Sequence, residues 1–129
     1  MKFTPENIDE LGQNEVFVFG SNEAGRHGAG AALKAKLDFG AIQGKGFGPQ
    51  GQSFAIPTKD WNVDTLSLEN INFYIKRFIA YANMNRNKVF IVTKIGCGLA
   101  GYNTDQIGGL FKNLPEIPEN VILPEEFVV

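Results

Sequence analysis

The sequence contains very little of what disulfides, metal centres and membrane spans require. Of its 129 residues one is cysteine and one is histidine, so an internal disulfide is impossible and a Cys/His zinc site is not expected. No apolar run approaches the ~18 residues of a transmembrane helix. The first six residues, MKFTPE, lack the apolar core of a signal peptide. We therefore expect a cytoplasmic protein that uses no metal and no cofactor.

Neither sign of charge dominates, which limits the partners that the protein can attract. Twelve basic and 14 acidic side chains give a formal net charge of −2, so no bulk attraction to nucleic acid or to a membrane is expected. An anionic ligand would have to be held locally, by backbone N–H groups and a few well-placed cations. Apolar residues make up 43% of the chain, enough for the core of a single domain over residues 1–129.

The hydrophobic pattern predicts strands alternating with helices. Apolar runs predict buried strands over 15–19, 53–57, 88–93 and 121–123, and helical spacing predicts helices over 29–38, about 67–83, and from 103 or 104 to Pro115. On the first helix, the spacing of Ala29, Leu33 and Leu37 predicts the buried face. The first 14 residues predict a short helix or an arm. Wholly apolar strands alternating with amphipathic helices indicate an α/β fold with a mostly parallel sheet covered on both faces.

Two glycine-rich segments each follow a predicted strand. We call GSNEAGRHGAG (20–30) the first glycine loop and IGCGLAGY (95–102) the second. In parallel sheets ligands bind beyond the carboxyl ends of the strands, and the unpartnered N–H groups that begin a helix attract anions. The pattern predicts an anion site at residues 28–31, with tight turns against packed helices as the alternative.

The known phosphate motifs do not apply. A Walker A sequence is absent, and the one G-x-G-x-x-G string, at 46–51, precedes a predicted strand instead of joining a strand to a helix. We interpret residues 46–51 as a strand edge or a turn.

A few side chains beside these loops are candidates for chemistry. Lys59 ends the second long strand, where it could clamp an anion or act as an amine nucleophile. Lys94 follows the next strand in the same Thr-Lys pairing and is the alternative. His27 could orient an anion together with Arg26, or it could be a solvated loop residue. Cys97 stands between two glycines, where we interpret it as a small loop residue and not as a nucleophile.

These motifs together resemble those of the macrodomain superfamily. The closest resemblance is to its lysine-nucleophile hydrolases, the terminal ADP-ribose protein glycohydrolases and the related antitoxins. The shared features are Gly-Ala-Gly opening a helix at 28–30, Thr-Lys after a strand at 58–59, and Ile-Gly-Cys-Gly-Leu at 95–99, within a match over roughly residues 16–123. The resemblance implies a three-layer α/β/α fold with a mixed, mostly parallel sheet and a cleft that binds ADP-ribose.

The resemblance also implies a role for each motif. Lys59 would attack the anomeric carbon of the distal ribose, residues 28–31 would line the diphosphate and distal ribose, and residues 96–102 would wrap the phosphates. The implied partner is ADP-ribose or an ADP-ribosylated macromolecule. Besides the catalytic Lys59, the predicted ligand-binding residues are Ser21, Asn22, Arg26, His27, Gly28, Ala29, Gly30, Ala31, Thr58, Gly96, Cys97, Gly98, Leu99, Ala100, Gly101 and Tyr102.

The chain departs from the hydrolase pattern where a proton must be transferred. The aspartate that follows Ile-Gly-Cys-Gly-Leu in those enzymes is Ala100 here, and the aspartate that other macrodomains carry in the first helix is Ala32. The candidate substitutes are Asp60, Asp105 and His27. The longer N-terminal strand region, where many macrodomains have an aspartate that reads adenine, is also missing.

Three functions follow from these features. The first is an ADP-ribosyl hydrolase acting through Lys59, and the second is a reader that binds ADP-ribose or a related nucleotide without turnover. The hydrolase ranks slightly ahead because Lys59 falls where the chemistry needs an amine. The third is an interaction protein whose loops bind no nucleotide.

Overall fold

The structure, a computed structural model, describes residues 2–129 as an α/β fold. Its elements in chain order are β1 (Glu15–Asn22), α1 (Gly30–Asp38), β2 (Gly48–Gln50), β3 (Ser53–Lys59), α2 (Leu68–Asn83), β4 (Val89–Val92), α3 (Thr104–Lys112), β5 (Val121–Ile122) and a final 3-10 turn (Glu125–Phe127). The predicted α/β class is therefore confirmed. None of the helices within residues 2–129 combines the length and the apolar character that crossing a membrane requires.

The five strands form one mixed sheet in the order β2-β3-β1-β4-β5. β1 pairs in parallel with both β3 and β4, β4 pairs in parallel with β5, and only β2 is antiparallel to its neighbour. The predicted mostly parallel sheet is thus confirmed. Because β3, β1 and β4 run in the same direction, their carboxyl ends meet at one edge, where both glycine loops begin.

Successive residues of β1 pack into two separate cores, as the alternation of side chains along a strand requires. Phe17 and Phe19 join the side chains of α1 in the smaller core. Val16 and Val18 join the larger core, which contains the buried residues of α2 and α3. The central strand is buried on both faces, which explains why its sequence is apolar without interruption.

The predicted buried face of α1 is wrong. Leu37 is 70% exposed, and the buried residues of this helix are Ala32 and Ala35. The phenylalanine rings of β1 occupy the space between sheet and helix, so only methyl groups fit opposite Phe17 and Phe19. The spacing of large apolar residues therefore pointed to the wrong side of the helix.

The other two helices begin where their capping residues predict. The hydroxyl of Ser67 accepts the backbone N–H of Asn70 at 3.2 Å. The side chain of Asn103 accepts the N–H of Gln106 at 2.8 Å within a complete capping box. These caps satisfy N–H groups that the first helical turn leaves without partners.

Neither of the two segments for which the sequence left alternatives open is helical. The N-terminal segment is an arm, in which the N–H of Thr4 donates to Leu123 and its hydroxyl to the Val92 carbonyl, at 2.9 and 2.6 Å. Residues 46–51 contain β2, an antiparallel edge strand on β3, which agrees with their interpretation as a strand edge. The arm thus contacts β4 and the end of β5, near the edge of the sheet opposite to β2.

Candidate functional site

A cleft of about 460 Å³ opens where the two glycine loops and the end of β3 meet. The predicted site residues that line it are Ser21, Asn22, Arg26, Gly28, Ala29, Gly30, Ala31, Thr58, Lys59, Gly96, Gly98, Leu99 and Ala100. The predicted residues that do not line it are His27, Cys97, Gly101 and Tyr102. The structure therefore brings together the three motifs that the sequence separates by dozens of residues.

Two polar side chains of the first glycine loop hold its shape. The amide of Asn22 accepts the N–H of Arg26 at 2.9 Å and donates to the carbonyl of the same residue at 3.0 Å. The hydroxyl of Ser21 donates to the carbonyl of Gly46. Although both residues line the cleft, these polar atoms already have partners within the protein, so their first role is to fix the loop backbone.

His27 is a core residue, and its predicted role in orienting an anion is wrong. The side chain is 0% exposed and its ring lies edge-on to Phe19, with centroids 5.3 Å apart. Its Nε2 lies 3.1 Å from the carbonyl oxygen of Lys45 and 3.2 Å from the amide oxygen of Gln50. The imidazole thus fastens the first glycine loop to the segment 42–50 and cannot reach a ligand in the cleft.

The glycines of the first loop serve two different purposes. A side chain at Gly25 would overlap the backbone of Lys45, and one at Gly46, across the contact, would overlap the carbonyl oxygen of Asn22. At Gly28 nothing lies within 4 Å of the position that a Cβ would take. Close packing therefore requires Gly25 and Gly46, whereas Gly28 leaves open space beside the cleft.

The N-terminus of α1 lies in this cleft without a side-chain cap. Ala29 occupies the N-cap position in an extended conformation, no side chain accepts a hydrogen bond there, and the first turn contains no acidic residue. In contrast, α2 and α3 each have a capping side chain and an acidic residue in the first turn. The positive end of the α1 dipole is thus left for a ligand or water to satisfy.

The charged groups that line the cleft are all cations. They are Arg26, Lys59 and Lys94, and no Asp, Glu or His is among the described residues of the lining. The amine of Lys94 is paired with Glu126 at 2.6 Å and with Glu6 at 3.6 Å, and the hydrogen bond that it donates to Glu126 raises the pKa of Lys94.

Within residues 2–129, Lys59 has no ion-pair partner within 4 Å. Its amine is therefore the freer of the two candidate lysines, because nothing in the described chain neutralises its charge. A lysine whose protonated form is stabilised by a carboxylate, as Lys94 is, makes a poorer nucleophile.

None of the candidate substitutes for the missing acid/base aspartate lines the cleft. One carboxylate oxygen of Asp60 accepts the N–H groups of Asn62 and Asp64, at 2.8 and 3.0 Å, and so closes the turn after β3. Asp105 is an exposed residue in the first turn of α3, and His27 is buried in the core. Among residues 2–129, no carboxylate or imidazole therefore lies at the cleft surface for proton transfer.

In the second glycine loop, the side chains of Cys97 and Tyr102 face the core. Cys97 packs against the larger core and burial raises the pKa of its thiol, which agrees with its interpretation as a small loop residue. The hydroxyl of Tyr102 donates to the carbonyl of Leu66 at 2.6 Å. At the tip, Leu99 is 78% exposed. The residues of this loop that line the cleft are glycine or apolar: Ile95, Gly96, Gly98, Leu99 and Ala100.

The sequence analysis missed one unusual residue of the lining. Val63, in the turn after β3, has a φ of +65° and is the one non-glycine residue with a positive φ among residues 2–129. Its local sequence, Trp-Asn-Val-Asp, gives no indication of this, because the left-handed conformation is typical of Gly, Asn and Asp and not of a β-branched residue.

A second cavity of about 320 Å³ adjoins the cleft and shares Ala31, Thr93 and Lys94 with it. The rest of its lining comes mainly from the N-terminal arm, including Asn7 and Asp9. Among residues 2–129, no group of three or more His, Cys, Asp or Glu side chains is placed to hold a metal ion.

Comparison with known proteins does not add to this description. No protein-family model, curated protein or solved structure matches the chain. The chemistry of the cleft itself therefore indicates what it can bind. An uncapped helix N-terminus, two unpaired cations and a lining without carboxylates suit an anionic ligand.

Proposed function

We propose that the cleft binds ADP-ribose or a closely related nucleotide, with the diphosphate held between residues 28–31 and the second glycine loop. The observation that carries this proposal is the uncapped N-terminus of α1 in a cleft that both glycine loops line. Two phosphates there would accept hydrogen bonds from the free N–H groups and interact with the helix dipole. Arg26 and Lys59 would add the positive charge that the protein as a whole lacks.

The proposed fold family is the macrodomain superfamily, with a three-layer α/β/α arrangement. The mixed five-stranded sheet supports it, as do the two cores with α1 in one and the other helices in the second. The sequence motifs that resemble macrodomains fall at the ends of three neighbouring strands. We take this combination of topology and motif position as the reason to prefer ADP-ribose over other diphosphates.

The adjoining cavity offers a place for the base. A nucleotide sugar is elongated, and the two cavities, of about 460 and 320 Å³, share part of their lining. We place the adenine in the cavity beside the N-terminal arm, where Asp9 could accept a hydrogen bond from the exocyclic amine. In this arrangement the arm takes the part that a longer N-terminal strand region plays in many macrodomains.

Hydrolysis through Lys59 is a second candidate function, favoured by one observation. Lys59 lines the cleft without an ion pair, whereas Lys94 is held by two carboxylates. Once it has lost its proton, an unpaired amine beside the distal ribose could attack the anomeric carbon, breaking its bond to the modified side chain or base, which leaves. Because the described lining contains no group that could accept that proton, binding is proposed first and turnover second.

The binding proposal is tested with Ala29→Asp. The new carboxylate would cap α1 and stabilise the free protein by about 1 kcal/mol, but it would also occupy the anion site and repel a diphosphate. We expect calorimetry to show ADP-ribose binding to the wild type and none to Ala29→Asp. Ala29→Ser, which caps the helix without adding a charge, is the control and should retain more affinity.

Thermal melting of the wild type with and without ADP-ribose can rule out the binding proposal. At a ligand concentration of ~100 times the dissociation constant, binding should stabilise the wild type by about 2.7 kcal/mol. A wild-type melting temperature that does not respond to saturating ADP-ribose would eliminate the binding proposal. Unchanged affinity in Ala29→Asp would remove the α1 N-terminus from the site.

Hydrolysis is tested with Lys59→Arg, Lys59→Gln and Lys94→Gln on an ADP-ribosylated substrate. Arginine keeps the charge that binds phosphate but cannot act as a nucleophile, so Lys59→Arg should bind ADP-ribose and release none. Lys94→Gln should retain activity. Turnover by Lys59→Arg at the wild-type rate would rule out the nucleophile, and absence of turnover in the wild type would leave the reader function alone. In that case Ala100→Asp should add a proton-transfer group and with it activity.

A further inference from the structure

Val63 adopts a backbone conformation that its own side chain disfavours. A φ of +65° brings the Cβ of a non-glycine residue too close to the neighbouring carbonyl oxygen, and branching at Cβ makes the conformation rarer still. Asparagine or glycine would adopt the same angle with little strain. The residue in the chain is nevertheless valine, half-buried and lining the cleft.

The turn that contains Val63 is fixed on every side by hydrogen bonds. The N–H of Val63 donates to the carbonyl of Asp60 at 3.0 Å, and the N–H of Asp60 donates to the carbonyl of Asp64 at 2.8 Å. The hydroxyl of Thr65 reaches the carbonyl of Ala100 at 2.9 Å and ties the turn to the second glycine loop. All of these bonds use backbone atoms of the turn or side chains other than that of Val63, so the turn itself has no need of an isopropyl group.

The position of the isopropyl group indicates what it contacts. Val63 lies on the turn that follows Lys59 and is tied through Thr65 to Ala100, whereas the anion-attracting end of α1 belongs to the first glycine loop. An apolar side chain offers nothing to a phosphate, but it can pack against the C–H groups of a sugar and exclude water there.

We propose that Val63 is a specificity-determining residue of the cleft, kept in the left-handed conformation so that its isopropyl group packs against the distal ribose of the bound nucleotide. This rests on the proposed function, since it assumes that ADP-ribose occupies the cleft. The backbone strain at Val63 is then present in the free protein, and the contact that it makes possible stabilises only the complex with the nucleotide. Truncating the side chain should weaken sugar binding and relieve the backbone.

The experiment compares two ligands that differ only by the distal ribose, ADP-ribose and ADP, by calorimetry on Val63→Asn and Val63→Gly. We expect about a tenfold loss of affinity for ADP-ribose, as befits one lost apolar contact, and unchanged affinity for ADP. The melting temperature of free Val63→Asn should equal or exceed that of the wild type, because asparagine fits the left-handed region. Trp61→Ala, in the same turn but outside the cleft lining, is the matched control and should bind both ligands normally.

Each of the following results would contradict this inference. Wild-type affinity for ADP-ribose in both Val63 variants would show that the side chain does not touch the ligand. An equal loss for ADP and ADP-ribose would place the contact away from the distal ribose. A marked drop in the melting temperature of both free variants would mean that the fold, and not the ligand, requires valine. If the wild type binds neither nucleotide, the proposed function fails as well, which separates that failure from a failure of this inference alone.

Discussion

The two glycine loops share one sequence pattern but are held in place by different means. The first is fastened by side chains, with Ser21 and His27 bonded to the segment 42–50 and Asn22 closing the loop on itself. The second is held by its own backbone turns, such as Gly101 N–H to Gly98 and Tyr102 N–H to Gly96, both at 3.0 Å. Two hydroxyls tie it to the segment 65–66, through the bonds Thr65 to Ala100 and Tyr102 to Leu66. Glycine content alone therefore does not indicate how firmly a loop is fixed.

We infer from this difference that the two loops have different roles in the cleft. The first loop is fixed against β2 and β3 and presents the N-terminus of α1 in one position, which suits a preformed anion site. The tip of the second loop is exposed at Gly98 and Leu99. We expect the second loop to be the part that adjusts when a ligand binds.

The largest loss of stability should come from a change at the tight contact between Gly46 and the first glycine loop. In Gly46→Ala the new methyl group would overlap the carbonyl oxygen of Asn22 and lie 2.7 Å from that of Glu23. Because both neighbours are backbone atoms, we expect a loss of about 3 kcal/mol or more in the free energy of unfolding, measured with urea. Gly28→Ala, with nothing within 4 Å, is the control and should change by less than about 0.5 kcal/mol. Equal stability of the two variants would contradict the distinction.

A somewhat smaller loss of stability should distinguish His27 from its neighbour Arg26 in the first glycine loop. His27→Ala removes a fully buried ring and its bonds to the segment 42–50, so we expect it to lower the free energy of unfolding by about 2–3 kcal/mol. Arg26→Ala removes an exposed cation from the cleft lining and should lower ADP-ribose affinity with little change in stability. If Arg26→Ala proved the more destabilising of the two, the assignment of roles would be reversed.

The hydrogen bond from Tyr74 to Glu23 gives the first loop a pH-dependent anchor. Burial, reinforced by this hydrogen bond, raises the pKa of Tyr74 from 10.0 to about 12. The folded protein thus retains the phenolic proton more tightly than the unfolded chain, so the stabilisation is complete below pH 10 and is lost as pH rises through about 12. At pH 8, Tyr74→Phe should be less stable than the wild type by about 1.5 kcal/mol. Urea midpoints should converge between pH 10 and 12, and a gap independent of pH would refute the mechanism.

The smallest loss of stability should come from a change in the second glycine loop. Tyr102→Phe removes only the hydrogen bond to the carbonyl of Leu66, and we expect a loss of about 1 kcal/mol in the free energy of unfolding. Hydrogen exchange should show faster opening of residues 98–102, with the first loop unaffected. A larger destabilisation than that of His27→Ala would show that the second loop, and not the first, is the more firmly anchored.

Much of the site could be predicted because its signals are local. Glycine-rich segments after apolar strands, together with the direction of parallel strands, were enough to predict that residues 28–31 and 96–100 share an edge of the sheet. The prediction failed for His27, whose partners Lys45 and Gln50 lie beyond α1 in the sequence. It also missed Val63, because its strained conformation is imposed by the hydrogen bonds of the whole turn.

By itself, the sequence determined the α/β class, the starts of α2 and α3, and the position of both glycine loops, since each depends on residues a few positions apart. Only the tertiary structure decided which side of α1 is buried, that Lys94 is paired while Lys59 is not, and that the cleft lining lacks a carboxylate. Those outcomes depend on contacts between distant segments, such as Glu126 with Lys94. Local propensity cannot encode them, because the free energy of a side chain is set by the neighbours that folding brings to it.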